Sequence, residues 1–176
     1  MSWVQQFTQT LREGTFLPKW LPESNGGDGS PVFVFYSPLV YYLTAAVQSL
    51  GGSIPFSMKV IRFLALWLSG VSILFLMRKM LRGRASLIAS LIYLLLPFHV
   101  LDVTYWTLYA EPWAWVWFPL ILWSLILLSE DHQSLSVSLP AVAVSFAGLI
   151  LTHLVSAYMF SFLMVAFVCF WSPRSK

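Results

Sequence analysis

The sequence predicts an all-α integral membrane protein, a helix bundle with two interfacial helices and about five transmembrane helices. Composition carries most of this: of 176 residues, 59% are hydrophobic and only 10% charged, against roughly 25% charge in ordinary soluble domains. Mean hydropathy is +0.77. The second observation is that one stretch alone, residues 14–43, is both polar and elaborate. The third is a short basic turn, Arg78, Lys79, Arg82 and Arg84, between two apolar runs. Residues 1–56 read as interfacial helices and a shaped loop on the outer face, 57–171 as the transmembrane bundle and 172–176 as a cytoplasmic tail.

Taken in order, residues 2–13 place Trp3, Val4, Phe7 and Leu11 on one helical face and Gln5, Gln6, Gln9 and Arg12 on the other. That is the pattern of an amphipathic helix lying in an interface. No basic n-region, continuous apolar h-region or small-residue cleavage site marks a signal peptide. Residues 14–43 combine turn formers (Pro18, Pro22, Asn25, Gly26, Gly27, Asp28, Gly29, Pro31, Pro38) with aromatics that a linker does not need, including Phe16, Trp20, Phe33, Phe35, Tyr36, Tyr41 and Tyr42. Glycine supplies left-handed backbone and each proline fixes its own φ, so this reads as a shaped loop. Such loops are either functional or caps over apolar surface.

Ser37-Pro38 starts a second short helix that ends at Gly51-Gly52. It is too short to span, since a bilayer needs about 20 residues. It is expected along the membrane surface, with Tyr41 and Tyr42 at headgroup level.

Spans are expected at 57–77, 85–100 and 112–128. The 35 or so apolar residues of 137–171 would make a helix of about 50 Å, too long for one span, and two short spans turning near Thr152-His153 are expected. The four basic residues between the first two spans mark a cytoplasmic turn by the positive-inside rule. Glu130, Asp131 and His132 make a second cytoplasmic turn, and the N-terminal region then faces outward in the cell membrane. The net charge of +3 thus bears on orientation and not on nucleic acid. The single cysteine, Cys169, permits no internal disulfide or thiolate metal site.

This topology gathers Lys19, Glu23, Asp28, Lys59, Arg62, Asp102, Glu111 and His153 on the outer side. A charge at a span centre costs about 2.5–3.5 kcal/mol on insertion scales, so charges near membrane depth are functional candidates. Glu111 precedes Pro112, which puts it at the N-cap of a membrane helix where dipole and free N–H groups favour a carboxylate. There it can serve as a base, a metal ligand or a sugar-hydroxyl acceptor, or only as a cap. Asp102 lies on the same loop and is otherwise a solvated loop acid. Lys59 and Arg62 sit within two turns of their helix start and either snorkel to headgroups or capture a lipid phosphate. His153 is a ligand or a satisfied bundle histidine. His99 and His132 fall on opposite sides, so the three histidines cannot form one zinc site. Trp113, Trp115 and Trp117 read as an interfacial belt. Walker, Rossmann, HExxH and GxSxG patterns are absent from the sequence.

The stretch EGTFLPKWLPESNGGDGSPVFVFYSPLVYYL resembles the corresponding region of the 6-pyruvoyl-tetrahydropterin synthase-related multi-pass membrane proteins. The resemblance continues through RKMLRGRAS, LLLPFHVLD, LYAEPWAW and LTHLVSAYMF. These proteins are similar to GT-C glycosyltransferases, which move sugar from a polyprenyl-phosphate donor on the outer membrane face. The resemblance implies a GT-C-like bundle, with membrane lipid and a polyprenyl-phosphate sugar as partners and no cofactor beyond an optional divalent cation. The resemblance matches Glu111 to a family acid. For the family's other acid, an aspartate missing here, the possible stand-ins are Glu13, Glu23 and Asp28, of which Asp28 joins Glu111 as a catalytic candidate. Lys19, Trp20, Tyr36, Tyr41, Arg62, Asp102 and His153 are the substrate-binding candidates. The chain departs from its relatives in two ways: residues 104–109 lack the family's basic residue, and Met1-Ser2-Trp3 falls just past the relatives' first span and its aspartate. A truncated chain, inactive alone, is therefore expected. The alternative is a non-catalytic lipid-binding or assembly subunit, or a small transporter. Transport predicts polar residues at the midplane of discontinuous helices, and these spans hold almost none.

Overall fold

A computed structural model describes residues 2–106, 108–130 and 135–171. The expected turn at Asp131 and His132 and the tail at 172–176 lie outside these residues. The described residues are helical apart from turns and one isolated bridge, and they divide into two compact units, Met1–Phe63 and Leu64–Lys176.

The N-terminal unit begins with α1, Trp3–Arg12. Ser2 caps it in a reciprocal capping box with Gln5, which satisfies two of the donors a helix start leaves open. Phe7 is fully buried, meeting Phe33, Tyr42 and Tyr41 at ring-centroid distances of 4.7, 4.9 and 5.6 Å. Burying such a ring is worth about 1.5–3 kcal/mol. These contacts hold α1 against α2, Val32–Phe35, and α3, Leu39–Ser49. Tyr41 is therefore a core residue, not a headgroup-level one.

Gln6 departs from the expected polar face because it is buried. Its Oε1 accepts the Glu23 N–H at 2.9 Å and its Nε2 donates to Ser24 Oγ at 3.3 Å. One amide thus ties the shaped loop to α1. The loop closes on itself where Leu21 and Ser30 exchange backbone hydrogen bonds of 2.9 and 3.0 Å around a 3₁₀ turn at Asn25–Gly27. Gly29 combines φ +79° with the Trp20 ring so near that an added Cβ would lie 2.4 Å from it. Only glycine meets both conditions.

Helix α4 runs Ile54–Met80, three residues earlier at its start than expected, and the boundary between the units falls inside it. Lys59 remains exposed, while Arg62 now lies in the third turn and is half-buried.

In the C-terminal unit α5, Arg84–Leu94, and α6, Pro97–Leu101, replace the continuous span expected at 85–100. The pair is bent by 42°. Pro97 has no N–H and holds Leu96 extended, at φ −53° and ψ 136°, so the helix stops and restarts. A π-helical turn, Asp102–Trp106, follows.

Helix α7, Glu111–Glu130, is central. Helix α8, Leu135–Thr152, runs antiparallel to it, since Trp117 near the start of α7 donates to Thr152 Oγ1 at the end of α8 at 3.0 Å. Helix α9, Leu154–Trp171, turns back parallel to α7: Phe160 stacks on Phe118 at 4.6 Å, and Phe167 reaches Leu125 and Leu128. The chain reverses at His153, as the sequence predicts. Ala114, Trp115, Ile121, Leu125, Leu149, Ala157 and Phe160 form the core of this unit. Trp113 and Trp115 are buried and Trp117 is partly so, which overturns the interfacial-belt reading.

Helices α4 and α7 are long and apolar enough to cross a membrane, and the bent α5–α6 pair makes a third candidate. Helices α8 and α9 are apolar but shorter, about 27 Å each at 1.5 Å per residue.

Candidate functional site

The structure brings Glu111 and His153 together. Both line an open groove of about 410 Å³ whose walls include Phe118, Ser156, Met159 and Phe160. Glu111 is the first residue of α7 rather than its cap, with Pro112 in the second position. Proline is well placed there, because the N–H it lacks would have had no helical partner. The carboxylate lies in the first turn, where the helix dipole favours negative charge.

His153 occupies the turn between α8 and α9, outside both helices. Its Nδ1 accepts the Ser156 amide N–H at 3.3 Å and lies 2.7 Å from Ser156 Oγ, so the ring caps α9. An Nδ1 that accepts a backbone N–H cannot carry the proton, which leaves Nε2–H as the donor of the neutral ring. Burial pushes the imidazole below its ordinary range, and the nearby Glu111 carboxylate opposes that shift. The Trp117–Thr152 hydrogen bond fixes the residue next to His153. An acceptor and a neutral donor at the groove mouth suit a hydroxyl group, which both donates and accepts.

Asp102 is not a solvated loop acid. It is fully buried in the π-helical turn, following α6, whose His99 stacks on Trp115 with centroids 3.8 Å apart. Burying a carboxylate is the kind of costly placement that demands compensation.

The remaining candidates belong to the N-terminal unit. Asp28 and Lys19 are exposed, as is half of Trp20, whose ring covers Gly29 next to Asp28. Tyr36 is half-buried, edge-on to Trp3 at 5.8 Å and to Tyr41 at 6.1 Å. Tyr41 is buried beneath it. Tyr42, beside Tyr41, donates its hydroxyl to the Phe16 carbonyl and so anchors the loop start. Phe118 and Phe160, which the groove needs, were not legible as site residues because each reads as an ordinary apolar span position.

Among the described residues no three His, Cys, Asp or Glu side chains gather into a metal-binding group. No curated protein and no solved structure matches the chain. The family model for the 6-pyruvoyl-tetrahydropterin synthase related domain, a membrane protein, matches residues 33–176, and the chain belongs to that membrane-protein family.

Proposed function

We propose that the chain is a membrane glycosyltransferase-like protein of GT-C type that holds a polyprenyl-phosphate-linked sugar in the groove between α7 and α9, with five spans and its N-terminal region on the outer face. The supporting observation is the groove's division into a polar mouth, Glu111 and His153, and an apolar wall of Phe118, Met159, Phe160 and Leu163. An amphiphile with a hydroxylated head and an isoprenoid tail matches that gradient. Glu111 accepts a hydroxyl proton and the His153 Nε2–H donates to an oxygen of the same head. A carboxylate so placed is also suited to general-base work, which contributes roughly 10²–10⁴ in rate. In the N-terminal unit, Asp28 is the proposed second acid, with Lys19 and Trp20 as head-binding groups.

A second reading is a lipid-binding subunit without chemistry. Val155, Met159 and Leu163 are each at least half exposed, so the groove opens sideways along α9 and a lipid chain can enter from the bilayer.

Both readings are tested by binding of a polyprenyl-phosphate hexose to the full chain in nanodiscs. Losing a charge-assisted hydrogen bond should weaken binding about tenfold or more in Glu111→Gln. An isotherm unchanged by that substitution would reduce Glu111 to a partner of the helix dipole. Release or transfer of the hexose then separates the enzymatic reading from the lipid-binding one.

A further inference from the structure

The N-terminal unit contains a second cavity, of about 410 Å³, built almost wholly from polar side chains. Gln5, Thr8, Gln9 and Arg12 line it from α1, with Gln48 from the end of α3 and Ser53 from the turn into α4. Its volume lies in the range of small-molecule sites, roughly 300–1,000 Å³. Ile54 is its one large apolar side chain.

Gln48 is the informative residue. It is largely buried, 6% exposed, and lines the cavity. The amide opens onto the cavity, where a ligand group can pair with it in place of water. The neighbouring groups are used on one side and open on the other. Gln5 Oε1 accepts the Ser2 amide, leaving its NH₂ free to donate. Gln9 Nε2 donates to Glu13, leaving its Oε1 to accept. The Thr8 hydroxyl donates to the Val4 carbonyl, leaving its oxygen to accept.

The lining therefore offers donors and acceptors in mixture, which suits hydroxyls. It holds one guanidinium, Arg12, and no carboxylate. That charge excludes cations and favours an anion; guanidinium groups recognise phosphate by paired hydrogen bonds. We infer that this cavity binds a hydroxyl-bearing phosphate ester, with the hydroxyls on Gln48, Gln9 and Thr8 and the phosphate on Arg12. The ester can be a soluble polyol phosphate or the glycerophosphate headgroup of a lipid, because the recognising chemistry is the same. The inference does not rest on the groove between α7 and α9, since no residue is shared.

The test is saturation-transfer NMR with glycerol 3-phosphate on the full chain in phosphatidylcholine nanodiscs, with glycerol and inorganic phosphate as comparisons. Saturation of the glycerol 3-phosphate protons is expected, with the ester bound in preference to glycerol. Gln48→Leu should weaken binding about tenfold, the effect of one lost hydrogen-bond pair. Gln48→Glu keeps size and polarity and should abolish binding by repelling the phosphate, which guards against a packing defect in the leucine variant. Arg12→Gln should remove the preference over glycerol. In phosphatidylglycerol nanodiscs, loss of the soluble signal would identify a lipid headgroup as occupant, and its persistence a soluble ester. Absence of saturation transfer in phosphatidylcholine nanodiscs, or a signal indifferent to both Gln48 variants, would overturn the site.

Discussion

The Tyr93 hydroxyl donates to the Trp115 carbonyl at 3.0 Å, and Trp115 is the residue whose carbonyl Pro119 leaves without a helical donor. Proline at position 119 of α7 removes the N–H that would have bonded four residues back. In a membrane helix a freed carbonyl needs a substitute partner, and a neighbouring side chain is one source. Tyr93 of α5 supplies it, so the proline and the tyrosine together lock α5 to α7.

The consequence is a coupling that can be measured. Tyr93→Phe should destabilise the protein by about 1–3 kcal/mol, because it strands a buried acceptor. Pro119→Ala restores the helix's own donor, so Tyr93→Phe should cost much less in that background. A double-mutant cycle by thermal unfolding in detergent reads the difference. Additive effects would mean that the Trp115 carbonyl finds another donor.

Gly29→Ala tests the shaped loop. At φ +79° an alanine carries about 1–2 kcal/mol of left-handed strain, and its Cβ collides with the Trp20 ring. Trp20 is half exposed and can swing outward. With 5-fluorotryptophan incorporated, and Trp20 assigned by Trp20→Phe, its ¹⁹F resonance should move while those of Trp113 and Trp115 stay. An unmoved Trp20 resonance would show that the ring does not rest on Gly29.

His153 should titrate below its ordinary value of 6.5, because burial disfavours the imidazolium. Protonation also removes the Nδ1 lone pair that caps α9. The folded-state value is depressed, so the stability it contributes is present above about pH 6.5 and is lost as pH falls through the lower, folded value. Glu111 favours the charged ring, so Glu111→Gln should lower the midpoint further. Ring-proton NMR of the histidines, with His153→Gln for assignment, measures both shifts. A midpoint raised by Glu111→Gln would separate the two residues electrostatically.

The helical class was legible because long apolar runs with few charges admit little else, and the reversal at His153 because 35 apolar residues exceed one span. The break before Pro97 was legible in principle, since proline restricts its predecessor, yet the apolar run continues through it and conceals the stop. Burial of Asp102 and of Trp113 and Trp115 was not legible. Their local sequence suits a membrane boundary, and only tertiary packing encloses them, for Trp115 through His99 of α6 and Tyr93 of α5. Gln6 and Gln48 escaped for a similar reason. On an amphipathic helix a glutamine reads as solvent-facing, and its partners here are a loop 17 residues away and a cavity wall. Of the candidate site, the pairing of Glu111 with His153 is long-range, and sequence could nominate each residue without joining them.

Orientation can be tested residue by residue. Arg78, Lys79, Arg82 and Arg84 cluster about the turn between α4 and α5, and Arg78, Arg82 and Arg84 are exposed. The positive-inside rule predicts that this turn is cytoplasmic. The native Cys169 is exposed and must first be replaced by serine. In that background Leu81→Cys, beside the turn, should be labelled by a membrane-impermeant maleimide only after the membrane is opened. Gly83 is unsuitable for the probe, because its φ of +60° with ψ of −134° is glycine backbone. Asp28→Cys, on the exposed loop of the N-terminal unit, should be labelled on intact cells, as the outer-face reading requires. Labelling of Leu81→Cys on intact cells would invert the topology and place the basic turn outside, against the charge rule. It would also remove the basis for expecting Glu111 and His153 on the outer side.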